Sequence, residues 1–209
     1  MADYTLHCFL QSGNAYKAAQ MLALTGSDWE PVWVDFFNGE TRTPEFRKIN
    51  PMGEVPVLVD NGRGITLTQS GNMLYHLAGT TGQFRPETAE EEREVLRWIL
   101  WDNHKLSSYT ATYRFLRNFA NKDGSPEAEF LKGRMIAAMK VLNGWLADRD
   151  WVAADRPTIA DLSISGYLFW PQDVGISWDT YPAIGAWLQR IRELDRWAPP
   201  EALLPSARS

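Results

Sequence analysis

The chain is poor in the residues that build covalent or metal-bound frameworks. Cys8 is its one cysteine, and it carries three histidines. No disulfide can close within it, and a structural zinc site, which takes four Cys or His ligands, is not expected. A lone cysteine suits a reducing compartment. Met1-Ala2-Asp3-Tyr4 lacks the basic and apolar stretches of a secretory leader, so a cytoplasmic location is expected. No run approaches the ~20 apolar residues of a membrane span. A basic excess is also missing: Lys+Arg 21 against Asp+Glu 26 gives a formal net charge of -5. A protein that holds nucleic acid by neutralising phosphates needs the opposite balance. The 209 residues, 44% hydrophobic and 22% charged, have the composition of one or two ordinary folded domains. Tryptophan is plentiful, and eight of the ten lie after Arg97, so the two parts of the chain differ in composition.

The first 80 residues alternate strand and helix signals. Tyr4 to Phe9 is aromatic and β-branched, the pattern of a strand. Asn14 to Leu24 is rich in Ala, Met and Leu and predicts a helix, with Gly26 placed to end it. Val32, Val34 and Phe36 alternate with Trp33, Asp35 and Phe37, a second strand. Thr43-Pro44-Glu45 predicts a helix start, with Thr as cap, Pro in the first turn and an acid behind it. Val55 to Val59 and Gly64 to Thr68, joined by Asp60-Asn61-Gly62-Arg63-Gly64, predict an antiparallel hairpin. Ser70 to Ala78 predicts a short helix stopped at Gly79. The order β-α-β-α-β-β-α implies a mixed four-stranded sheet with a parallel crossover and an antiparallel edge.

Strand signals then stop. Thr80 to Pro86 reads as a linker. Glu90, Glu91 and Glu92 open a helix with Val95, Ile99, Leu106, Tyr109, Tyr113 and Leu116 at apolar positions. Leu131, Met135, Ala138, Leu142 and Trp145 step at three and four, a second amphipathic helix. Thr158 to Trp170 and Pro182 to Leu194 predict two more. The chain thus divides into an α/β domain over 1–80, a linker over 81–87 and an all-α domain over 88–209.

Four motifs fall at the joints of this order: Gln11-Ser12-Gly13-Asn14-Ala15-Tyr16-Lys17, Asn50-Pro51-Met52-Gly53-Glu54-Val55-Pro56-Val57-Leu58, Thr68-Gln69-Ser70-Gly71-Asn72, and Thr158-Ile159-Ala160-Asp161-Leu162. Together they resemble the cytosolic glutathione transferases from about Tyr4 to Trp197, in the bacterial type whose thiol-activating turn carries Ser with Asn. The resemblance implies a thioredoxin-like βαβαββα domain that binds glutathione, followed by a helical bundle with a hydrophobic substrate pocket. It implies a homodimer acting in detoxification, with glutathione as co-substrate and no metal or redox cofactor.

The resemblance also implies site residues. The Val55-Pro56 bond is expected to be cis, letting the Val55 N–H and C=O pair with the cysteinyl part of glutathione as an added strand; alternatively Pro56 only fixes the fold. Glu54 lies in the same glutathione-binding stretch. Gln69 and Ser70, at a helix start with free N–H groups, would hold the γ-glutamyl end, unless they are a plain cap. Relatives often carry Glu at the Gln69 position, so the charge attraction for the ligand's ammonium is reduced here. Ser12 and Asn14 would stabilise the thiolate, or else cap the helix. Lowering a thiol pKa by about two units needs roughly 2.7 kcal/mol, and a hydrogen bond to a charged group supplies about 1.5–3 kcal/mol. Cys8, four residues before the turn, reads as a buried inert thiol. Thr158 and Asp161 match a capping box and read as structural. Tyr109, Tyr113 and Trp170 are candidates to line the electrophile pocket, though aromatics at such spacing more often build a core. The expected activity is attack of the glutathione thiolate on a small hydrophobic electrophile. The alternatives are a glutathione-dependent disulfide reductase or peroxidase, favoured by Asn14, and a non-catalytic binding protein of the same fold.

Overall fold

The computed structural model describes residues 2–207. The chain divides into two compact units. One runs to Arg85 and takes in the segment from Leu194 onward; the other is Pro86–Glu193.

The first unit is built on β1 (Tyr4–Cys8), α1 (Gly13–Thr25), β2 (Trp29–Trp33), α2 (Pro44–Ile49), β3 (Val57–Asp60), β4 (Ile65–Thr68) and α3 (Ser70–Thr81). The sheet order is β2-β1-β3-β4. β1 and β2 are parallel, with Tyr4 opposite Trp29, whereas β3 is antiparallel to both β1 and β4. The mixed sheet is therefore the one the element order predicts. Tyr4, Leu6 and Cys8 are buried while Thr5 and His7 are half-buried, the period of two that a strand imposes. α1 is capped at both ends as its sequence requires: Ser12 accepts from Ala15 N, and Gly26 takes the left-handed conformation at φ 66°.

The boundaries of β2 and α3 differ most from the sequence pattern, and β3 begins at Val57 rather than Val55. β2 starts at Trp29, not Val32, because the parallel register with β1 runs out at Trp33 opposite Cys8, and the Phe36 N–H then turns back to Val34 O (2.8 Å). α3 runs past Gly79 to Thr81, because the left-handed stop lies at Gly82 (φ 71°). Asp60, buried at the end of β3, accepts from the Arg63 backbone (3.0 Å) and from His76 Nε2 on α3 (2.8 Å). Burial pushes its pKa up, but the hydrogen bonds from His76 and Arg63 outweigh it and the net direction is down. This carboxylate pins α3 to the hairpin.

The second unit contains α4 (Ala89–Trp101), α5 (Ser107–Asn118), α6 (Pro126–Trp145), α7 (Ile159–Ser165), α8 (Pro171–Val174) and α9 (Pro182–Arg192). The long helix expected from Glu90 to Leu116 is interrupted by a π-helical turn, Asp102–Leu106. Asp102 is fully buried there and accepts from the Ser107 and Ser163 hydroxyls, each at 2.7 Å. Such a turn re-aims one side chain without ending the helix. At α7 the Asp161 carboxylate accepts from Thr158 N, Val152 N and Trp187 Nε1, all at 2.9 Å. That is the structural capping box expected of Thr158 and Asp161, extended to two further elements.

The helical domain expected over 88–209 ends earlier. From Leu194 the chain belongs to the first unit, because its backbone satisfies groups there. Tyr16 Oη donates to Ala198 O (2.8 Å), Leu10 N donates to Pro205 O (3.0 Å), and Leu204 after α10 (Pro200–Leu203) is buried.

Candidate active site

The antiparallel register places three chain segments at one end of the sheet. β1 ends at Cys8, β3 begins opposite it at Val57, paired with His7, and β4 ends at Thr68, paired with Val57. The turn before α1, the Val55-Pro56 step and the Gln69-Ser70 step therefore share that end.

The turn before α1 supplies Ser12 and Asn14. Ser12 is 6% exposed. Its Oγ accepts from Ala15 N at 3.1 Å, so it is the N-cap. A hydroxyl has lone pairs and one proton; the cap uses a lone pair, and among the described residues no acceptor takes the proton. Asn14, in the first turn of α1, accepts at Oδ1 from the Ser70 hydroxyl at 3.4 Å. This fixes its amide so that the two Nδ2 protons turn away from Ser70, and no described residue accepts them. The N-terminal backbone of α1 adds the positive end of its dipole.

The stretch before β3 is a braced loop. Val55-Pro56 is cis. Asn50, 1% exposed, closes the loop from inside: Nδ2 donates to Glu54 O (2.7 Å) and Oδ1 accepts from Met52 N (3.0 Å). Gly53 has φ 67°, and a Cβ there would lie 2.8 Å from Thr41 O, so only glycine fits. Val55 packs on a small cluster of Val34, Phe46 and Val57.

Gln69 precedes α3 with φ 66° and ψ 115°, an uncommon conformation for a residue with a Cβ. Such strain costs about 1–3 kcal/mol and gathers at working sites. Its side chain lies against the braced loop: Nε2 donates to Glu54 Oε2 (3.2 Å) and contacts Met52 Sδ (3.4 Å). Ser70 is buried at the first position of α3.

The family of glutathione S-transferase N-terminal domains matches residues 2–79, and that of glutathione S-transferase C-terminal domains matches 109–195. The chain belongs to the glutathione S-transferase family. The observed mixed sheet followed by helices is the fold of that family. The chain is 27% identical over 202 residues to the disulfide-bond oxidoreductase YfcG of Escherichia coli, covering 94% of this chain and 93% of that protein. It is 28% identical over 190 residues to maleylacetoacetate isomerase of Pseudomonas aeruginosa, covering 86% of each. A crystal structure of a glutathione S-transferase from Pseudomonas fluorescens matches with a TM-score of 0.88 at 29% identity, over 95% of this chain and 99% of that one.

The remaining candidates, Tyr109, Tyr113 and Trp170, belong to the second unit. Tyr113, 2% exposed, is part of the helical core and has little surface to offer a ligand. Tyr109 and Trp170 are half-buried. Arg114, buried on α5, stacks its guanidinium over Trp170 at 4.7 Å and pairs with Asp173 at 2.6 Å, a grouping the spacing of the aromatics does not reveal. Cys8 is fully buried, and burial pushes its thiol up to about 12. It is inert, as its place inside β1 predicts. Three links were not visible in the motifs: the Asn14–Ser70 bond, the Asn50 brace, and the Glu54–Gln69 contact. Asn50 and Gly53 carried a signal, since both belong to the Asn50–Leu58 motif; the contacts across 56 and 15 residues carried none.

Proposed function

We infer that the chain binds glutathione at this end of its first unit and stabilises its thiolate for attack on a small hydrophobic electrophile. The observation that carries the reading is Ser12: its oxygen is committed to the helix cap, leaving a buried hydroxyl proton with no acceptor among the described residues. A donor in that position at a helix start favours an anion, and a thiolate needs donors more than it needs a base. Asn14 adds two unspent N–H donors on the same turn. The Val55 backbone pairs with the cysteinyl residue, the α3 N-terminus takes the γ-glutamyl carboxylate with the Ser70 hydroxyl turned to it from Asn14, and Gln69 with Glu54 borders the same end. Attack forms a sulfur–carbon bond and the leaving group departs with its electron pair; the thiol proton has already gone to solvent. Two copies pair as a homodimer through apolar faces such as Leu96 and Leu100 on α4, which are 46% and 60% exposed; sedimentation at twice the monomer mass tests this.

A second reading, glutathione-dependent disulfide reduction, is favoured by Asn14 and by the likeness to a disulfide-bond oxidoreductase. There the thiolate attacks a disulfide sulfur, releases one thiolate and leaves a mixed disulfide for a second glutathione. Assay of an aryl halide, a peroxide and a mixed disulfide, each with glutathione, separates the readings. Turnover of the aryl halide supports the first, turnover of the disulfide alone supports the second, and failure of all three overturns both.

A further inference from the structure

α2 is too short to cover the sheet face it packs on. It spans Pro44–Ile49, a length of about 9 Å at 1.5 Å per residue. Phe46 fills that span, packing with Val34 and Val57. Glu30 lies beside Thr5 and Val32 beside His7, while Val57 lies opposite His7. Glu30, Val32, His7 and Val57 therefore share one face. The part that α2 leaves open is a cavity of about 540 Å³, lined by His7, Glu30, Val32, Glu40, Glu45 and Ile49 among others. None of its lining side chains takes part in the glutathione site. We propose that this cavity binds an aliphatic diamine, an apolar stem with an ammonium at each end. The site stands independently of what the other end of the sheet binds.

The lining decides the class of ligand. Val32 and Ile49, 37% and 39% exposed, give the cavity an apolar wall. Its ionisable groups are His7, Glu30, Glu40 and Glu45, with no Lys or Arg among the lining residues. Burial holds the His7 imidazole below its ordinary value against the pull of Glu40. It is neutral at pH 7 and keeps a lone pair as acceptor. The carboxylates are spread along the cavity, not gathered. Glu30, at the start of β2, accepts from Thr5 Oγ1 (3.3 Å), and Glu40, in the link beyond β2, accepts from Asp35 N (2.7 Å). Val32 comes between them, two strand residues or about 6.6 Å along from Glu30. Acid, apolar wall and acid in that order match a dication with an apolar middle. A hard metal ion needs its oxygens gathered at about 2.0–2.6 Å, and no metal-holding group of His, Cys, Asp or Glu exists among the described residues. A protein strand added to the sheet fits poorly too. β2 is an edge, but Pro31 in its middle lacks the N–H that an added strand would bond. The volume is that of a small-molecule site.

The experiment is calorimetric titration of the full chain with diaminopentane, pentylamine, pentanediol and a lysine-rich peptide. Wild type is compared with Glu30→Gln, Glu45→Gln and the double variant; both side chains are exposed, so the fold should persist. One charge pair at about 4 Å in water corresponds to roughly a fivefold change in binding. Wild type should bind diaminopentane about fivefold tighter than pentylamine and should not bind pentanediol. Glu30→Gln should bring the diamine down to the level of the monoamine, and the double variant should lose about 25-fold. Glutathione binding should be the same in all four proteins. Added salt should weaken the diamine in wild type. The ring-proton resonance of His7 should shift on binding, and those of His76 and His104 should stay in place. Failure of wild type to bind the diamine, unchanged binding in the double variant, or a shift confined to another histidine overturns the proposal. Tighter binding of the peptide than of the diamine also overturns it, since the face would then belong to a protein partner.

Discussion

Replacing Ser12 by Ala removes two interactions that can be measured apart. As N-cap, its oxygen satisfies Ala15 N at 3.1 Å, and loss of such a cap costs about 1 kcal/mol of folding stability. As donor, its proton contributes about 1.5–3 kcal/mol to a bound thiolate, which is about 1–2 pKa units. A bound thiol moved from about 6.5 to about 8 goes from mostly ionised to roughly one-tenth ionised at pH 7, so turnover with an aryl halide should fall about eightfold. The titration is read by thiolate ultraviolet absorbance of bound glutathione in wild type, Ser12→Ala, Asn14→Ala and the double variant, with urea unfolding of each alongside. Ser12→Thr keeps both the oxygen and the proton and should behave as wild type. The double variant should titrate well above either single one. If Ser12→Ala loses about 1 kcal/mol of stability while the thiol pKa stays put, the hydroxyl is a cap and nothing more. If the double variant also titrates like wild type, the backbone alone stabilises the thiolate. Loss of activity in Asn14→Ala with none in Ser12→Ala would move the disulfide-reductase reading ahead.

Ser70→Ala should weaken glutathione binding by about 1–3 kcal/mol, the size of a lost bond to a charged group; unchanged affinity would remove Ser70 from the site. Cys8, with its thiol held near 12 by burial, should resist alkylation in the native protein and react once urea exposes it. Rapid native labelling would contradict its burial. Glu91 is drawn down to about 2 from its ordinary 4.5, first by the Arg156 hydrogen bonds and then by the Glu87 N–H. Its folded pKa lies below the unfolded one, so its stabilisation is complete above about 4.5 and is lost as pH falls through about 2. Because the pair is partly open to solvent, that contribution should be about 1 kcal/mol. Glu91→Gln should therefore lose about this much at pH 7 and little at pH 2 in urea unfolding; an equal loss at both would refute the pairing.

What the sequence made legible is local. Thr43 with Pro44, Ser12 before α1 and Thr158 with Asp161 announce helix starts because the cap and its target N–H lie within three residues. The hairpin is readable because Asn61 and Gly62 sit between two alternating runs. The boundaries that moved depend on distant partners. β2 is set by its register with β1 rather than by its own alternation, and Gly79 fails to stop α3 because the left-handed residue is Gly82. The π-helical turn at Asp102 answers to Ser163, 61 residues away, and nothing near Asp102 reports it. In the site, the motif residues were evident and their mutual orientation was not. Whether Gln69 offers a donor or an acceptor depends on Glu54, 15 residues back and across the loop.

The pairing of Tyr16 with Ala198 joins residues 182 positions apart, which has a bearing on how a ribosome delivers this protein. The first sheet and α1 emerge early, yet two of their partner groups, at Ala198 and Pro205, are synthesised after the whole helical unit. Until then, these two bonds cannot form. At synthesis rates of about 5–20 residues per second the delay amounts to roughly ten seconds or more. The nascent α/β segment is thus assembled in outline while the helices are being made, and is closed only when the returning strap of chain reaches it.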